Sequence, residues 1–180
     1  MQVTMSTTFA APPPAVFDLL VDPQFQAEKA RRLSSTEFDM DVHGDDLRTT
    51  VVTRRKMSTS RMPEFVRALV DPSIVVKETE AWDTGSLPDD EFSGSFFLEI
   101  TGAPVRMEGT VAISRHESGS RLIYEGELTA TVPLFRDRIA EAAAGSVTRT
   151  ISVEFELLEE ILAGQASSPI SSPGAQAVPA

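Results

Sequence analysis

The chain has no cysteine and only two histidines in 180 residues. The first absence excludes disulfides, iron–sulfur clusters, thiolate zinc sites and a thiol nucleophile. The second excludes any site that needs three imidazoles. Positive charge is also scarce: 16 Lys and Arg stand against 27 Asp and Glu, a formal charge of −11 at pH 7. A field of that sign repels phosphate, which argues against a general electrostatic grip on nucleic acid or on an anionic membrane. It leaves room for a local basic patch. No run approaches the roughly 18 apolar residues of a membrane-spanning helix. The start of the chain lacks a basic segment followed by a long apolar one, because Pro12, Pro13 and Pro14 interrupt it. These absences predict a soluble cytoplasmic domain with neither cofactor nor metal, no nucleic-acid partner and no integral membrane association.

What is present reads as one folded unit over residues 1–164 and a tail over 165–180. The tail, QASSPISSPGAQAVPA, holds three of the 12 prolines and neither a charge nor an aromatic ring. It buries too little apolar surface to offset its ordering entropy, so it is expected to be disordered. The folded part begins with a Thr- and Val-rich strand, Gln2 to Phe9. A short helix follows the prolines, carrying Val16, Phe17, Leu20 and Val21 at helical spacing and closed by Asp22-Pro23. A second helix is expected from about Pro23 to Leu33.

Alternating segments come next. Phe38, Met40 and Val42 alternate with acidic residues; Gly44-Asp45-Asp46 has turn chemistry; Thr49, Val51 and Thr53 share a face. Pro63 to Val70 suits a short helix, and Ile74 to Trp82 a strand. Gly85 to Asp90 reads as a loop and Phe92 to Ile100 as the clearest strand, turned by Gly102-Ala103-Pro104. Val105, Met107, Val111 and Ile113 form the next apolar face, then Leu122, Tyr124, Leu128 and Ala130 after a turn at His116 to Gly119. Consecutive strands with short turns make an antiparallel meander, one face buried and one wet. After Pro133 the period becomes helical, with the stripe Ile139, Ala143, Val147, Ile151, Phe155, Leu158 and Leu162, and Gly164 as a natural stop. Gly145 inside it marks a break, a bend or close packing on the sheet. The fold class is α+β.

This order of elements, with the opening Phe9-Ala10-Ala11-Pro12-Pro13-Pro14-Ala15-Val16-Phe17-Asp18-Leu19-Leu20-Val21-Asp22-Pro23, resembles the START-like (helix-grip) superfamily. Thr131-Val132-Pro133-Leu134 before the last helix is similar to a bacterial branch classed as a domain of unknown function. The resemblance implies an antiparallel sheet of about seven strands wrapped around a long C-terminal helix, two short helices after strand 1, and a pocket between sheet and helix. It implies no reaction, since the superfamily ranges from carriers to cyclases to regulators.

If the grip geometry holds, the inward residues that would touch a ligand are Phe38, Met40, Val51, Phe96, Leu98, Met107, Val111, Tyr124, Leu128, Val147, Ile151 and Phe155. The same side chains make an ordinary core if no cavity opens; we favour the cavity, because the fold favours pockets at this place. Glu78, Glu80 and Trp82 share a strand face with Ile74 and Val76. Two carboxylates beside an aromatic can act as a base if burial raises a pKa, but the simpler reading is an edge strand whose end faces water. His43 and His116 read as separate solvated turns rather than a metal site. Tyr124 reads as a satisfied core tyrosine before a ligand donor. Arg54-Arg55-Lys56, with Arg61, Arg67 and Lys77, could bind an anionic head group at a pocket mouth; a solvated loop balancing acidic neighbours is the commoner case. No phosphate loop, dinucleotide fingerprint, nucleophile elbow or zinc-helix motif is present. The function expected is binding of a small apolar or amphipathic molecule. The alternatives are a polyketide-cyclase-type enzyme using the same pocket and a non-enzymatic protein-partner or regulatory module.

Overall fold

The structure, a computed structural model, describes residues 1–60, 62, 64–68, 70–85, 91–101, 103, 105–131 and 136–166. Along the chain lie β1 (Gln2–Phe9), α1 (Pro13–Leu20), α2 (Pro23–Arg32), β2 (Glu37–Gly44), β3 (Arg48–Ser58), α3 (Glu64–Arg67), β4 (Ser73–Asp83), β5 (Phe92–Thr101), β6 (Val105–His116), β7 (Gly119–Ala130) and α4 (Arg136–Ala166). The expected tail, from residue 167 on, lies outside the described residues, as do most of the 85–90 loop and much of the turn at 102–104.

All strands join one antiparallel seven-stranded sheet in the order β1-β7-β6-β5-β4-β3-β2. The meander runs from β2 to β7, and β1 returns to pair with β7, Met5 opposite Tyr124. Alternation decides which side is buried: on β4 the side chains of Ile74, Val76, Glu78, Glu80 and Trp82 are buried and the intervening ones are not. β4 lies between β3 and β5, so the expectation of an edge strand ending in water is wrong. Glu78 and Glu80 are core residues.

Asp22 both ends α1 and opens α2: its Oδ1 accepts the Phe25 N–H at 2.8 Å, and Pro23 takes the first helical position, where no N–H is needed. α2 then packs on α4. The α4 stripe is buried at Ile139, Val147, Ile151, Leu158 and Leu162. The helix runs unbroken through Gly145 and two residues past the expected stop at Gly164. A Cβ on Gly145 would meet nothing within 4 Å, so close helix–sheet packing does not explain that glycine.

Helix α4 makes its closest backbone contacts with β7, β1 and β6 on one side of the sheet. Near α1 the interior is filled by aromatic rings: Phe17 stacks on Phe92 at 4.2 Å and meets Trp82 edge-on at 5.6 Å. Over β3, β4 and β5, long side chains and a cavity occupy the interior instead.

Candidate functional site: a buried ionic network beside an apolar cavity

Six polar side chains from five elements meet inside the fold: Lys29 of α2, Arg55 of β3, Glu78 and Glu80 of β4, Tyr124 of β7 and Glu154 of α4. None is more than 6% exposed. Arg55 stands opposite Val76, one diagonal from Glu78, so the register brings the guanidinium to the carboxylate. Arg55 Nη2 donates to Glu78 Oε1 and, at 3.2 Å, to Thr150 Oγ1. Lys29 Nζ donates to Glu78 Oε2 at 3.0 Å and to Glu154 Oε2 at 2.6 Å. The Tyr124 hydroxyl lies 2.8 Å from Glu80 Oε1 and 2.7 Å from Glu154 Oε1. Trp82 Nε1 donates to Glu80 Oε2 at 3.1 Å.

Hydrogen counting fixes the protonation of this network. A tyrosine hydroxyl has one proton to give, yet two carboxyl oxygens sit within hydrogen-bond distance of it. One carboxyl must therefore carry a proton and donate to the hydroxyl. Glu154 already takes the Lys29 ammonium, so the proton belongs on Glu80. Charge balance agrees: Lys29 and Arg55 neutralise Glu78 and Glu154, and a protonated Glu80 leaves the interior neutral. The pKa directions follow the same physics. Burial, reinforced by the Glu154 carboxylate, pushes Glu80 up to about 7. Burial would also raise Glu78, but Lys29 and Arg55 outweigh it and hold Glu78 at about 2. Burial pulls Lys29 down, and the Glu154 and Glu78 carboxylates reverse that, holding it above the ordinary lysine range. Burial, with the neighbouring Glu154 and Glu80 side chains, pushes Tyr124 well above the usual phenol value.

A cavity of about 390 Å³ opens beside the network. It lies where β3 and β5 end and β4 and β6 begin, between Met57, Ile74, Val76, Ile100 and Val105 of the sheet and Ile139, Ala143 and Val147 of α4. Val66 of α3, with Met62 and Val70, covers one side, and the Arg138 guanidinium, 4.8 Å above the Phe65 ring, ties α3 to α4. Exposed Ser34, Ser146 and Arg149 mark the mouth. Arg55 and Thr150 form the inner polar wall. A separate void of about 10 Å³ lies among Lys29, Glu78, Glu80, Tyr124 and Glu154 and shares Leu98, Val147 and Thr150 with the cavity.

Of the inward residues read from the sequence, Leu98 and Val147 border the cavity. Phe96, Tyr124 and Ile151 border only the small void. Val51, Met107, Val111 and Leu128 are buried elsewhere in the interior, and Phe38, Met40 and Phe155 are half-buried outside the cavity wall. His43 and His116 are both exposed, on strands separated by three others. The Arg54-Arg55-Lys56 run is a strand, not a loop, and alternation divides it. Arg54 faces outward to Asp39 and Asp41, and Lys56 to Glu37, while Arg55 points into the core. Lys29 and Glu154 are missed by the sequence reading, and Arg55 reads there only as one member of a basic run, not as a core residue. A signal existed: Arg55 continues the Val51–Thr53 face, and Glu154 sits one turn from Ile151 and Leu158.

A model of the family described as "Protein of unknown function (DUF2505)" matches residues 4–162, nearly the whole folded unit. The chain belongs to this family. No match is found among curated proteins. Among solved structures, this DUF2505 protein is similar to TTHA0849 from Thermus thermophilus at 19% identity and a TM-score of 0.60, covering 93% of this chain and 100% of that one. It is similar to a STAR-related lipid transfer protein from Xanthomonas axonopodis (11%, TM-score 0.58, 90% and 85% covered). It is also similar to Ara h 8.0201 (9%, TM-score 0.55, 91% and 98% covered). At these identities the likeness establishes the fold: this member of the DUF2505 family has the START-like helix-grip architecture. Among its described residues, no helix is long and apolar enough to cross a membrane.

Proposed function

We propose that the protein binds a small apolar or amphipathic molecule in the cavity between the β3–β6 end of the sheet and α4. The observation that carries this reading is the cavity itself, about 390 Å³ and walled mainly by aliphatic side chains, within the roughly 300–1,000 Å³ typical of ligand pockets. Affinity would come from apolar area removed from water, about 25 cal/mol per Å². Leu98 and Val147 are the two sequence-expected residues that would touch the ligand. A ligand would enter at the mouth marked by Ser34, Ser146 and Arg149, with Val66 of α3 closing one side over it. Titration with the neutral fluorophore N-phenylnaphthylamine, with native mass spectrometry of the purified protein, tests the reading. Saturable fluorescence that Ala143→Phe abolishes without loss of fold supports it. Absence of any saturable binding, with no carried-over small molecule, refutes it.

A second reading, an enzyme of polyketide-cyclase type, is favoured by one observation: a carboxyl held at about 7 beside a tyrosine, in the position of a general acid–base pair. Glu80 borders only the small void, so a substrate would have to part Leu98 and Val147 to reach it. Cyclisation of a poly-β-keto thioester that is lost in both Glu80→Gln and Tyr124→Phe would favour this reading. Equal rates with and without the protein would exclude it for that substrate.

A further inference from the structure

We infer that the cavity takes a ligand whose inner end is an oxygen acceptor, a carbonyl or carboxylate inserted head-first against Arg55; this rests on the binding reading above. The basis is an unfilled donor. Arg55 is 3% exposed and lies in the cavity wall. Its Nη2 is committed to Glu78 and Thr150, its Nη1 meets only the Met57 sulfur at 3.1 Å, a weak acceptor, and its Nε has no partner among the described residues. An unpartnered guanidinium N–H on a side chain that borders an apolar chamber attracts an oxygen lone pair strongly, because a hydrogen bond to a charged donor is about twice as strong as a neutral one.

The rest of the inner wall offers nothing to a donor-bearing ligand. The Thr150 hydroxyl spends its proton on the Ser146 carbonyl at 3.0 Å and accepts from Arg55. Glu78, Glu80 and Glu154 are turned toward the small void and do not border the cavity. Three arginines, Arg32, Arg55 and Arg149, and no carboxylate stand among the described lining residues, against the acidic bias of the chain as a whole. At the mouth, Arg32 is paired with Glu28 and Glu160, while Arg149 has no ion-pair partner among the described residues. The chamber is thus a donor wall in an apolar room. It suits a ketone, an ester or an acid, and it opposes an amine, whose N–H donors would meet donors and find no carboxylate among the described residues of the cavity wall.

The test displaces bound N-phenylnaphthylamine with dodecanoic acid, methyl dodecanoate and dodecylamine. The acid and the ester should each compete at least about ten-fold better than the amine. The ratio of acid to ester then tells whether charge or the carbonyl alone is read. Arg55→Lys, which keeps a cation for Glu78 but removes Nε, should bring that preference close to one while the probe still binds. Should that variant fail to fold, the Arg55 Nε–H resonance of the wild-type protein serves instead and should shift with the acid and ester. Equal competition by acid, ester and amine, or a bound acid that leaves this resonance unmoved, overturns the head-group inference and leaves the cavity reading intact. No probe binding at all overturns the cavity reading itself.

Discussion

Replacing Glu80 with Gln should make the protein less sensitive to alkali. In the wild type the Glu80 proton bridges to Tyr124 at 2.8 Å, and the other oxygen accepts from Trp82 at 3.1 Å. A glutamine amide fills both roles, its NH2 donating to the tyrosine and its carbonyl accepting from the tryptophan, with no charge to titrate. Folded Glu80 is held at about 7 against an ordinary value of 4.5, so the native state binds this proton more tightly than the unfolded chain. Its stabilising contribution is therefore complete below pH 4.5 and is lost as pH rises through about 7. At about 1.4 kcal/mol per pKa unit, the loss amounts to about 3 kcal/mol by pH 8.5. For a domain of this size that corresponds to roughly 6–12 °C in Tm. Glu78 does not obscure it: its depressed pKa gives a contribution present above 4.5 and lost only as pH falls toward about 2. The assay is urea unfolding of wild type and Glu80→Gln at about pH 5 and about pH 8.5, read by Trp82 fluorescence. The wild type should lose about 3 kcal/mol relative to the variant across that interval. Parallel pH profiles, or a variant that loses more than the wild type, would refute the proton assignment on Glu80.

Other outcomes follow from the same contacts. Lys29→Met leaves Glu78 with Arg55 alone and strips Glu154 of its cation, and should cost about 3–5 kcal/mol in chemical denaturation. Tyr124→Phe removes the hydroxyl between two carboxyl groups and should cost about 1–3 kcal/mol; a neutral result would mean that the two carboxyls pair directly. Gly145→Ala meets no obstructing atom and should stabilise α4 by up to about 1 kcal/mol, seen as a higher urea midpoint. Ser34, at φ 57° just after α2, sits in the left-handed region; Ser34→Gly should be neutral or stabilising, whereas Ser34→Val should cost at least about 1 kcal/mol.

Strand faces, helix stripe and element order could be read from periodicity, and the opening Phe9-to-Pro23 segment gave the fold its family likeness. The cavity could not be read the same way. A period of two says which side of the sheet a residue faces, not how far along the strand the sheet and helix part. Met107, Val111 and Leu128 face inward as expected, yet α4 rests close over β6 and β7, and no room remains there. Room exists over Ile74, Val76 and Ile100, which lie on the same faces but toward the strand ends. The buried ions failed for another reason. A single carboxylate on an apolar face reads as an edge, because burying it alone is prohibitive. Glu78 becomes tolerable only with Arg55 and Lys29, which lie 23 and 49 residues away. That match is tertiary, and local pattern carries no sign of it.

The outer strand β2 gives the excess acid of this chain a use. An open sheet leaves two rims whose unpaired N–H and C=O groups invite a strand from another molecule. At the β2 rim, Glu37, Asp39 and Asp41 project beside that backbone, anchored by Lys56 and Arg54 of β3, while Val42 and Leu47 are the apolar side chains left open to water nearby. An approaching copy presents the same carboxylates, and like charges meet before backbones do. Replacing the three carboxylates by amides (Glu37→Gln, Asp39→Asn, Asp41→Asn) withdraws the guard, with Val42 and Leu47 still exposed. Self-association through this rim should therefore appear in that triple variant while the interior, kept together by a proton on Glu80 and a charge on Glu78, is still folded.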